Sequence, residues 1–288
     1  MNVRRAVILT AGYGTRLLPA TKAQPKAILP IVDKPTIQYT VEEAVASGLD
    51  EVVIVISAGQ QVIEDHFSRS WDLEKALEAK GDEAQAAKLR CISELADISY
   101  VQQQEQRGIG DAVLTARHVV GDEPFVLFFP DDLIAAETPV AKQLVETFQA
   151  RGGSVVAVEE VPQAEIESYG IVDGDLVGDG VYQLRGVVEK PTAEDAPSNL
   201  GIVGRYVLTP EIFDVLMKTP PGKAGEIQIT DAIGLLLERQ PVFALQFEGR
   251  RYDTGRPLGL IKASIELALE RDDIGSDLRE YLRGLELD

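Results

Sequence analysis

The sequence predicts an α/β fold, in which a Rossmann-like, mixed and mostly parallel sheet is flanked by helices. Short β-branched apolar runs alternate with amphipathic segments along the chain. These runs are nearly continuous in hydrophobicity, which is typical of strands that are covered on both faces. With 288 residues and 45% hydrophobic content, the chain can bury a large core. We expect a single domain over residues 1–288.

Four apolar runs are predicted as buried strands, and they lie at 6–9, 52–56, 125–129 and 155–158. Between the first two, the apolar residues of Ile37 to Gly48, including Val45, recur along one face of a helix. Glu42 and Glu43 are expected on the opposite face. Ligands of such folds bind at the carboxyl ends of the strands, so the functional residues should follow the strands.

Three further segments complete the predicted architecture. Residues 71–90 are rich in Ala, Glu, Lys and Leu around Gly81, which indicates a charged helical hairpin. Residues 170–208 contain short β-like pieces between turns and are predicted as antiparallel strands of a substrate-side subdomain. Residues 258–288 form a C-terminal helical region, whose apolar residues at helical spacing are Ile261, Ile265, Leu267 and Leu269.

The charge balance excludes two classes of partner. The chain has 47 acidic and 28 basic residues, and the net charge of −19 repels nucleic acids and anionic membranes. No apolar run approaches the roughly 20 residues of a membrane span, and the one after Arg5 is too short for a signal peptide. The only cysteine, Cys91, cannot form an intrachain disulfide. We therefore expect a cytoplasmic protein that binds neither nucleic acid nor membrane.

A glycine-containing loop follows the first predicted strand. Gly12 and Gly14 allow backbone N–H groups to approach a phosphate, and Arg16 and Lys26 supply positive charge nearby. The Gly-Lys-Ser/Thr ending of a Walker loop is absent, and Leu17 stands where a dinucleotide fingerprint requires glycine. On these residues alone, a phosphate site and a tight strand exit explain the glycines equally well.

Seven segments, spread in order over most of the chain, carry a family resemblance. They are AGYGTRLLPATKAQPKAILPIVDKPTIQYTVEEAV (11–45), QQEQRGIGDAV (103–113), FPDD (129–132), YGIV (169–172), VVEKPTAEDAPSNLGIVGRYVL (187–208), PPGKAGEIQITDAI (220–233) and YDTGRPLGLIKA (252–263). Together they resemble the bacterial UTP:glucose-1-phosphate uridylyltransferases, within the sugar-nucleotide pyrophosphorylases. The resemblance implies the nucleotide-diphospho-sugar transferase type of fold. It also implies transfer of a uridylyl group from UTP to glucose 1-phosphate, giving UDP-glucose and pyrophosphate.

The resemblance implies roles for the glycine loop and the second segment. Arg16 and Lys26 would contact the triphosphate and the departing pyrophosphate, with Lys22 as a weaker candidate. Gln103 and Gly108 match the spacing that reads the base, because a glutamine amide offers both a donor and an acceptor. Gln102 or Gln104 could instead be the glutamine that faces inward. Backbone contacts to the nucleotide are implied for Ala11, Gly12 and Gly14.

Two aspartates form the predicted metal site. Asp131 directly follows a predicted strand, and Asp253 lies in the YDTG segment. Carboxylates on separate segments are suitable ligands for a Mg²⁺ ion that bridges phosphates. The resemblance selects Asp131, whereas the neighbouring Asp132 is interpreted as a helix-cap or turn residue.

The sugar phosphate is expected near the end of the antiparallel strands. By resemblance, Lys190 would bind the phosphate of glucose 1-phosphate, Glu189 would accept hydrogen bonds from sugar hydroxyls, and Gly170 would add backbone contacts. Consecutive strand residues point to opposite faces, so Glu189 and Lys190 can share a ligand only where the chain bends. Pro191 favours such a bend.

Two positions depart from the family pattern. Ala27 stands where an acid is usual, and Asp111 stands where histidine is usual. We expect Asp111 to cap a helix and to bring negative charge towards the nucleotide, and both positions to affect base handling. The same reaction with dTTP, and a non-catalytic sugar-nucleotide sensor, therefore stay open as alternatives. The resemblance also implies a homodimer or homotetramer, for which residues 71–90 and the C-terminal helices are the predicted contacts.

Overall fold

The chain folds around a nine-stranded mixed sheet with helices on both faces. The computed structural model describes residues 3–222 and 225–286, so the predicted segments 220–233 and 258–288 extend partly outside the described residues. The strands predicted at 6–9, 52–56, 125–129 and 155–158 are all confirmed. The strands are β1 (Arg5–Leu9), β2 (Pro30–Ile31), β3 (Lys34–Pro35), β4 (Glu51–Ile56), β5 (Asp97–Gln102), β6 (Phe125–Phe128), β7 (Asp132–Ala135), β8 (Ser154–Glu160), β9 (Gly170–Gly178), β10 (Val181–Glu189), β11 (Leu200–Leu208), β12 (Val242–Gln246) and β13 (Arg250–Asp253).

The helices alternate with the strands over the first half of the chain. Within residues 3–222, four short 3₁₀ turns accompany them, at Thr15–Leu17, Ala20–Lys22, Lys26–Ile28 and Gln163–Ser168. The α-helices are α1 (Thr36–Ala46), α2 (Gln61–Phe67), α3 (Trp71–Ala79), α4 (Glu83–Ser93), α5 (Ile109–Thr115), α6 (Arg117–Val120), α7 (Val140–Arg151), α8 (Glu211–Leu216), α9 (Ile229–Leu236), α10 (Pro257–Leu269) and α11 (Gly275–Arg283).

The sheet is parallel in its N-terminal half and largely antiparallel in the other. Its strand order is β5-β4-β1-β6-β11-β8-β12-β10-β9. The first four strands are parallel, as are β8 and β12, and the remaining neighbours are antiparallel. The mixed sheet expected from the sequence is therefore present. The carboxyl ends of β1, β4, β5 and β6 meet at one edge, where the sequence places the candidate residues.

Two apolar cores lie on the two faces of the sheet. In β1, Ala6 and Ile8 belong to the core beneath α1 and α7, whereas Val7 and Leu9 belong to the core beneath α5 and α9. All four side chains are buried. This two-sided burial is the reason that β1 reads as a continuous apolar run.

The segment 170–208 is only partly peripheral. Strands β9 and β10 form an antiparallel hairpin at one edge of the sheet, as predicted. Strand β11, however, lies in the centre between β6 and β8, and each of its nine residues is buried. Residues 200–208 therefore belong to the main core and not to a substrate-side subdomain. The division of the chain into a domain and a subdomain otherwise stays a prediction.

The predicted helix after β1 is confirmed as α1, but two of its side chains are not where we expected them. Glu43 does not face solvent, because it forms an ion pair with the buried Arg205. Val45, expected on the apolar face, is exposed. Helical periodicity identifies the face that packs, but it cannot reveal a cation that arrives from a distant strand.

The charged helical hairpin at 71–90 is confirmed as α3 and α4, which reverse direction at Gly81. Glu74 of α3 is nearly fully buried between Arg69 and Arg90, 3.0 and 3.1 Å away. The C-terminal region is helical as predicted. Ile261, however, is exposed on α10, which packs on the core through Ala263 and Leu267 instead. In the described part of the chain, no helix is long and apolar enough to cross a lipid bilayer.

Candidate active site

Residues from the carboxyl ends of three parallel strands line one cavity of 380 Å³. The loop after β1 contributes the glycine loop, the loop after β5 contributes the glutamine segment, and the loop after β6 contributes an aspartate. The cavity thus brings together all five residues predicted for the nucleotide, with the predicted phosphate and metal residues Lys26 and Asp131. The five are Ala11, Gly12, Gly14, Gln103 and Gly108.

The glycine loop is held in a tight turn above Lys26. Gly14 has a φ of 64°, a left-handed conformation that side chains rarely adopt. Its carbonyl accepts a hydrogen bond of 2.8 Å from the Thr21 hydroxyl. A Cβ at Gly14 would lie 3.2 Å from Cβ of Lys26, so glycine allows the loop to close onto the lysine. At Gly12 the corresponding space is open.

Gln103 is the inward-facing glutamine of its run. It is only 4% exposed, whereas Gln102 and Gln104 are exposed, which resolves the alternatives left open by the sequence. Its backbone N–H donates to the carbonyl of Ile56 at the end of β4 (2.8 Å), and this contact fixes the residue at the sheet edge. Gly108 turns the chain with a φ of 104° before α5 begins.

The two departures from the family pattern do not lie where we expected. Asp111 does not cap α5, because the cap position is Gly108 and no side chain among the described residues caps the helix. Its carboxylate instead accepts hydrogen bonds from Gln103 and Arg107, both at 2.8 Å. Ala27 is buried in the core beneath α1. Ala27 thus faces the core and not the nucleotide cavity, and its effect on base handling stays a prediction.

Lys26 and Asp131 form the central ion pair of the site. The Lys26 ammonium lies 2.5 Å from Oδ2 of Asp131, and both side chains are half-buried. Burial alone would raise the pKa of Asp131, but the charge and hydrogen bond of Lys26 outweigh burial and lower the pKa. Asp131 is thus held ionised beside a cation in the cavity.

Asp253 completes a pair of carboxylates that can accept a metal ion. A Cβ built on Gly255 would lie 2.8 Å from Oδ2 of Asp131 and 3.1 Å from Oδ1 of Asp253. The two carboxylates therefore face one small space that glycine leaves open. Burial, reinforced by the charges of Asp132 and Asp131, raises the pKa of Asp253, and a cation in this space would offset that repulsion.

Two carboxylates are enough to bind Mg²⁺, but they are too few for a metal ion that takes all its ligands from the protein. Within the described residues, no cluster of three His, Cys, Asp or Glu side chains could hold a metal ion. Mg²⁺ commonly binds one or two carboxylates and takes its other oxygens from water and substrate phosphates. Asp131 and Asp253 are the residues that would hold it.

A second cavity, of 210 Å³, adjoins the first at Asp131 and contains the residues predicted for the sugar phosphate. Gly170, Glu189 and Lys190 all line it. Lys190 has a φ of 48°, so the chain bends directly after β10, as the shared ligand requires. Its ammonium lies 2.6 Å from Oε1 of Glu189, which places the two side chains on the same side of the strand.

Arg16 lines this second cavity together with Lys190 and Asp253. Its side chain is exposed, and it lies where the two cavities approach each other. Lys22 lines a third cavity, which shares Gly12 and Gln103 with the nucleotide cavity but does not include Asp131. The contacts of Arg16 and Lys22 with phosphate stay a prediction.

Sequence reasoning missed a buried ion-pair network at the second cavity. Asp132 is not a cap or turn residue: it begins β7, accepts a 2.8 Å hydrogen bond from the Gly204 N–H and forms an ion pair with Arg251. Arg251 also contacts Glu159 and lines the second cavity. Burial opposes the charge of Arg251, but Asp132 and Glu159 outweigh it and raise its pKa. The only hint in the sequence was the second aspartate of FPDD, Asp132, which suggests a role for a second carboxylate at the end of the strand.

Comparison with known proteins places the chain among nucleotide-transferring enzymes. The family model described as nucleotidyl transferase matches residues 5–270. The UTP–glucose-1-phosphate uridylyltransferase of Bacillus subtilis (strain 168) is 49% identical over 285 residues, which cover 99% of the chain and 97% of that relative. The enzyme of the same name from Staphylococcus epidermidis is 46% identical over 286 residues, which cover 99% of this chain and 99% of that relative.

Two solved structures are similar over nearly their whole length. A UDP-glucose pyrophosphorylase in complex with UDP-glucose has a TM-score of 0.86 and 43% identity, covering 94% of this chain and 100% of that one. A UTP-bound enzyme from Acinetobacter baumannii has a TM-score of 0.93 and 35% identity, covering 99% and 100%. The chain therefore belongs to the nucleotidyl transferase family, among the UTP–glucose-1-phosphate uridylyltransferases.

Proposed function

We propose that the protein transfers the uridylyl group of UTP to glucose 1-phosphate and releases pyrophosphate. The observation that carries this proposal is the junction of the two cavities at Asp131. One cavity has a glycine loop and a buried glutamine, which suit a nucleotide. The other has a paired acid and lysine, which suit a sugar phosphate. Substrates in the two cavities would meet beside the carboxylate pair.

In this reaction the sugar phosphate attacks the α-phosphorus of the nucleotide, so the protein has to position two anions and reduce their repulsion. Lys190 holds the attacking phosphate, and Glu189 orients both Lys190 and the sugar hydroxyls. Lys26 and Arg16 balance the charge of the triphosphate and of the departing pyrophosphate. A bound Mg²⁺ supplies further charge neutralisation at the phosphates. No covalent intermediate is required.

The retained charges favour catalysis over a sensor role. A sugar-nucleotide sensor needs the two binding cavities. It does not need a pair of carboxylates that could hold a metal ion beside a lysine. Asp131 and Asp253 hold that arrangement. A release of pyrophosphate that depends on glucose 1-phosphate would distinguish the enzyme from the sensor.

The nucleotide preference is tested by measuring pyrophosphate release with glucose 1-phosphate and UTP, dTTP, CTP or ATP in separate reactions. We expect turnover with UTP to exceed that with the others. Thymine differs from uracil by one methyl group, which binding discriminates by about 10- to 200-fold. Release of pyrophosphate with dTTP as fast as with UTP would make the enzyme a thymidylyltransferase as well, and no release with any nucleotide would support the sensor.

We predict that Lys190→Ala raises the KM for glucose 1-phosphate and slows turnover by about 100-fold, because it removes a preorganised charge at the reacting phosphate. Calorimetry should show that UTP binding alone changes little. Lys142→Ala, on the exposed side of α7, is the matched control and should behave as the wild type. A Lys190→Ala variant that lost UTP affinity but kept its affinity for the sugar phosphate would assign Lys190 to the other substrate.

We also propose a homodimer or homotetramer, with contacts through α3 and the C-terminal helices. Large apolar side chains are exposed on both elements: Trp71 and Leu73 on α3, and Leu258 and Ile261 on α10. Burying such side chains between subunits is favourable. Light scattering at micromolar concentration should give a multiple of the 31.3 kDa chain. Ile261→Asp or Leu73→Asp should lower the mass, and a wild-type monomer would contradict the proposal.

A further inference from the structure

A buried carboxylate lies directly beneath the residue that would read the base. Asp111 is in the first turn of α5, and its side chain is 9% exposed. Oδ2 accepts a hydrogen bond from Nε2 of Gln103, and Oδ1 accepts one from Nη2 of Arg107, both at 2.8 Å. None of the roles derived above for catalysis, metal binding or sugar binding uses this carboxylate.

The contact with Asp111 determines which way the Gln103 amide points. A carboxylate in an ion pair with arginine can only accept hydrogen bonds, so the amide must direct its NH₂ group towards it. With the amide reversed, two oxygen atoms would face each other at 2.8 Å. The other hydrogen of Nε2 lies towards the carbonyl of Gly108, 3.5 Å away. Within the described residues, no hydrogen bond uses Oε1, which therefore remains for a ligand.

We propose that Asp111 is a positioning residue that fixes the amide orientation of Gln103 and thereby selects bases that carry an N3–H donor. The inference rests on the proposed function, since it requires a pyrimidine nucleotide in this cavity. Uracil and thymine carry an N3–H that can donate to Oε1. The N3 atom of cytosine has no hydrogen and presents a lone pair, so it would repel Oε1. This hydrogen bond does not involve the 5-methyl group of thymine. Asp111 should therefore not affect the preference for UTP over dTTP.

The test is the ratio of UTP to CTP affinity in wild type and in Asp111→Asn. Asparagine keeps the size of aspartate but offers an NH₂ group, to which Oε1 of Gln103 can turn. Both amide orientations then become available, and the reversed one donates to cytosine N3. We expect the affinity ratio to fall by about tenfold or more, as is typical for exchanging one buried hydrogen-bond donor for an acceptor. Titration calorimetry with UTP, and competition by CTP, measure this without turnover.

Two controls separate the positioning role from a merely structural one. Arg107→Gln removes the ion pair but leaves the carboxylate, so the UTP to CTP ratio should stay high. Asp122→Asn makes the same chemical change at an exposed position and should have no effect on the ratio. Thermal unfolding reports whether each variant is folded. If Asp111→Asn does not fold, Asp111→Ser removes the carboxylate with a smaller side chain, and the same fall in the ratio is expected.

An unchanged ratio in a folded Asp111→Asn or Asp111→Ser variant, or an equal loss of affinity for both nucleotides, would overturn the inference. Those outcomes would leave the proposed function intact, because wild-type UTP binding would still be measured. Failure of the wild type to bind either nucleotide would instead overturn the proposed function and this inference together. A fall in the UTP to dTTP ratio alone would contradict the role assigned to N3.

Discussion

Asp131→Asn is expected to lower turnover by about 100-fold or more, while the protein remains folded. The change keeps the shape of the side chain and an oxygen that can accept the hydrogen bond of Lys26. It removes the negative charge that faces the same space as Asp253. The variant would hold less firmly the Mg²⁺ that neutralises the reacting phosphates, and losing one preorganised electrostatic contact of this kind typically costs this much. The measurement is pyrophosphate release at saturating UTP and glucose 1-phosphate, with thermal unfolding as the test of folding.

The dependence on Mg²⁺ distinguishes a metal ligand from a partner of Lys26. If Asp131 holds the ion with Asp253, then Asp131→Asn and Asp253→Asn should each raise the Mg²⁺ concentration needed for half-maximal activity. Asp72→Asn, at an exposed position of α3, is the matched control and should leave that concentration unchanged. Wild-type turnover of both active-site variants at limiting Mg²⁺ would contradict the proposed metal site.

The parts of the fold that depend on local pattern could be predicted from the sequence. Near-continuous apolar runs identified β1, β4, β6 and β8 because each is covered on both faces. The bend at Lys190 agrees with the expectation that Pro191 ends the strand. Its left-handed φ of 48° does not follow from the sequence, because proline favours an extended residue before it. The position of Asp131 followed from its place at the end of a strand, where ligands of α/β sheets bind.

Two of the failures share one physical cause, which is a contact between residues far apart in sequence. The helical pattern puts Glu43 on the solvent face, because its partner Arg205 lies on β11, 162 residues away. Asp132 was interpreted as a cap because Arg251 arrives from β13. Asp111 is a different case, because its partner Gln103 is near in sequence. There the cap rule gave a competing explanation, and only the geometry of α5 excluded it.

The second large effect concerns stability, and it arises from Arg205. Its side chain is 1% exposed and forms an ion pair of 2.7 Å with Glu43. The guanidinium also donates to the carbonyls of Phe129, Gly204 and Asp132 at 2.9 to 3.0 Å. All five N–H donors of the arginine can thus be satisfied. Two of those carbonyls flank Asp131, so the buried cation also fixes the chain that carries the candidate metal ligand.

We predict that Arg205→Met lowers the free energy of unfolding by about 3–5 kcal/mol, because it leaves the carboxylate of Glu43 without its counter-charge and removes the guanidinium donors from three carbonyls. Denaturant unfolding measures the loss. Arg4→Met is the matched control, since Arg4 pairs with Asp50 on the exposed surface and such pairs contribute little.

The double variant Arg205→Met with Glu43→Leu separates the two causes of that loss. Removing both charges abolishes the unpaired carboxylate, so it should recover part of the lost stability. The carbonyls of Phe129 and Asp132 would still lack the guanidinium that holds them together, and turnover should therefore stay low even where stability returns. Recovery of both stability and turnover would show that Arg205 serves only to neutralise Glu43. Recovery of stability alone would support its role in holding Asp131 in place.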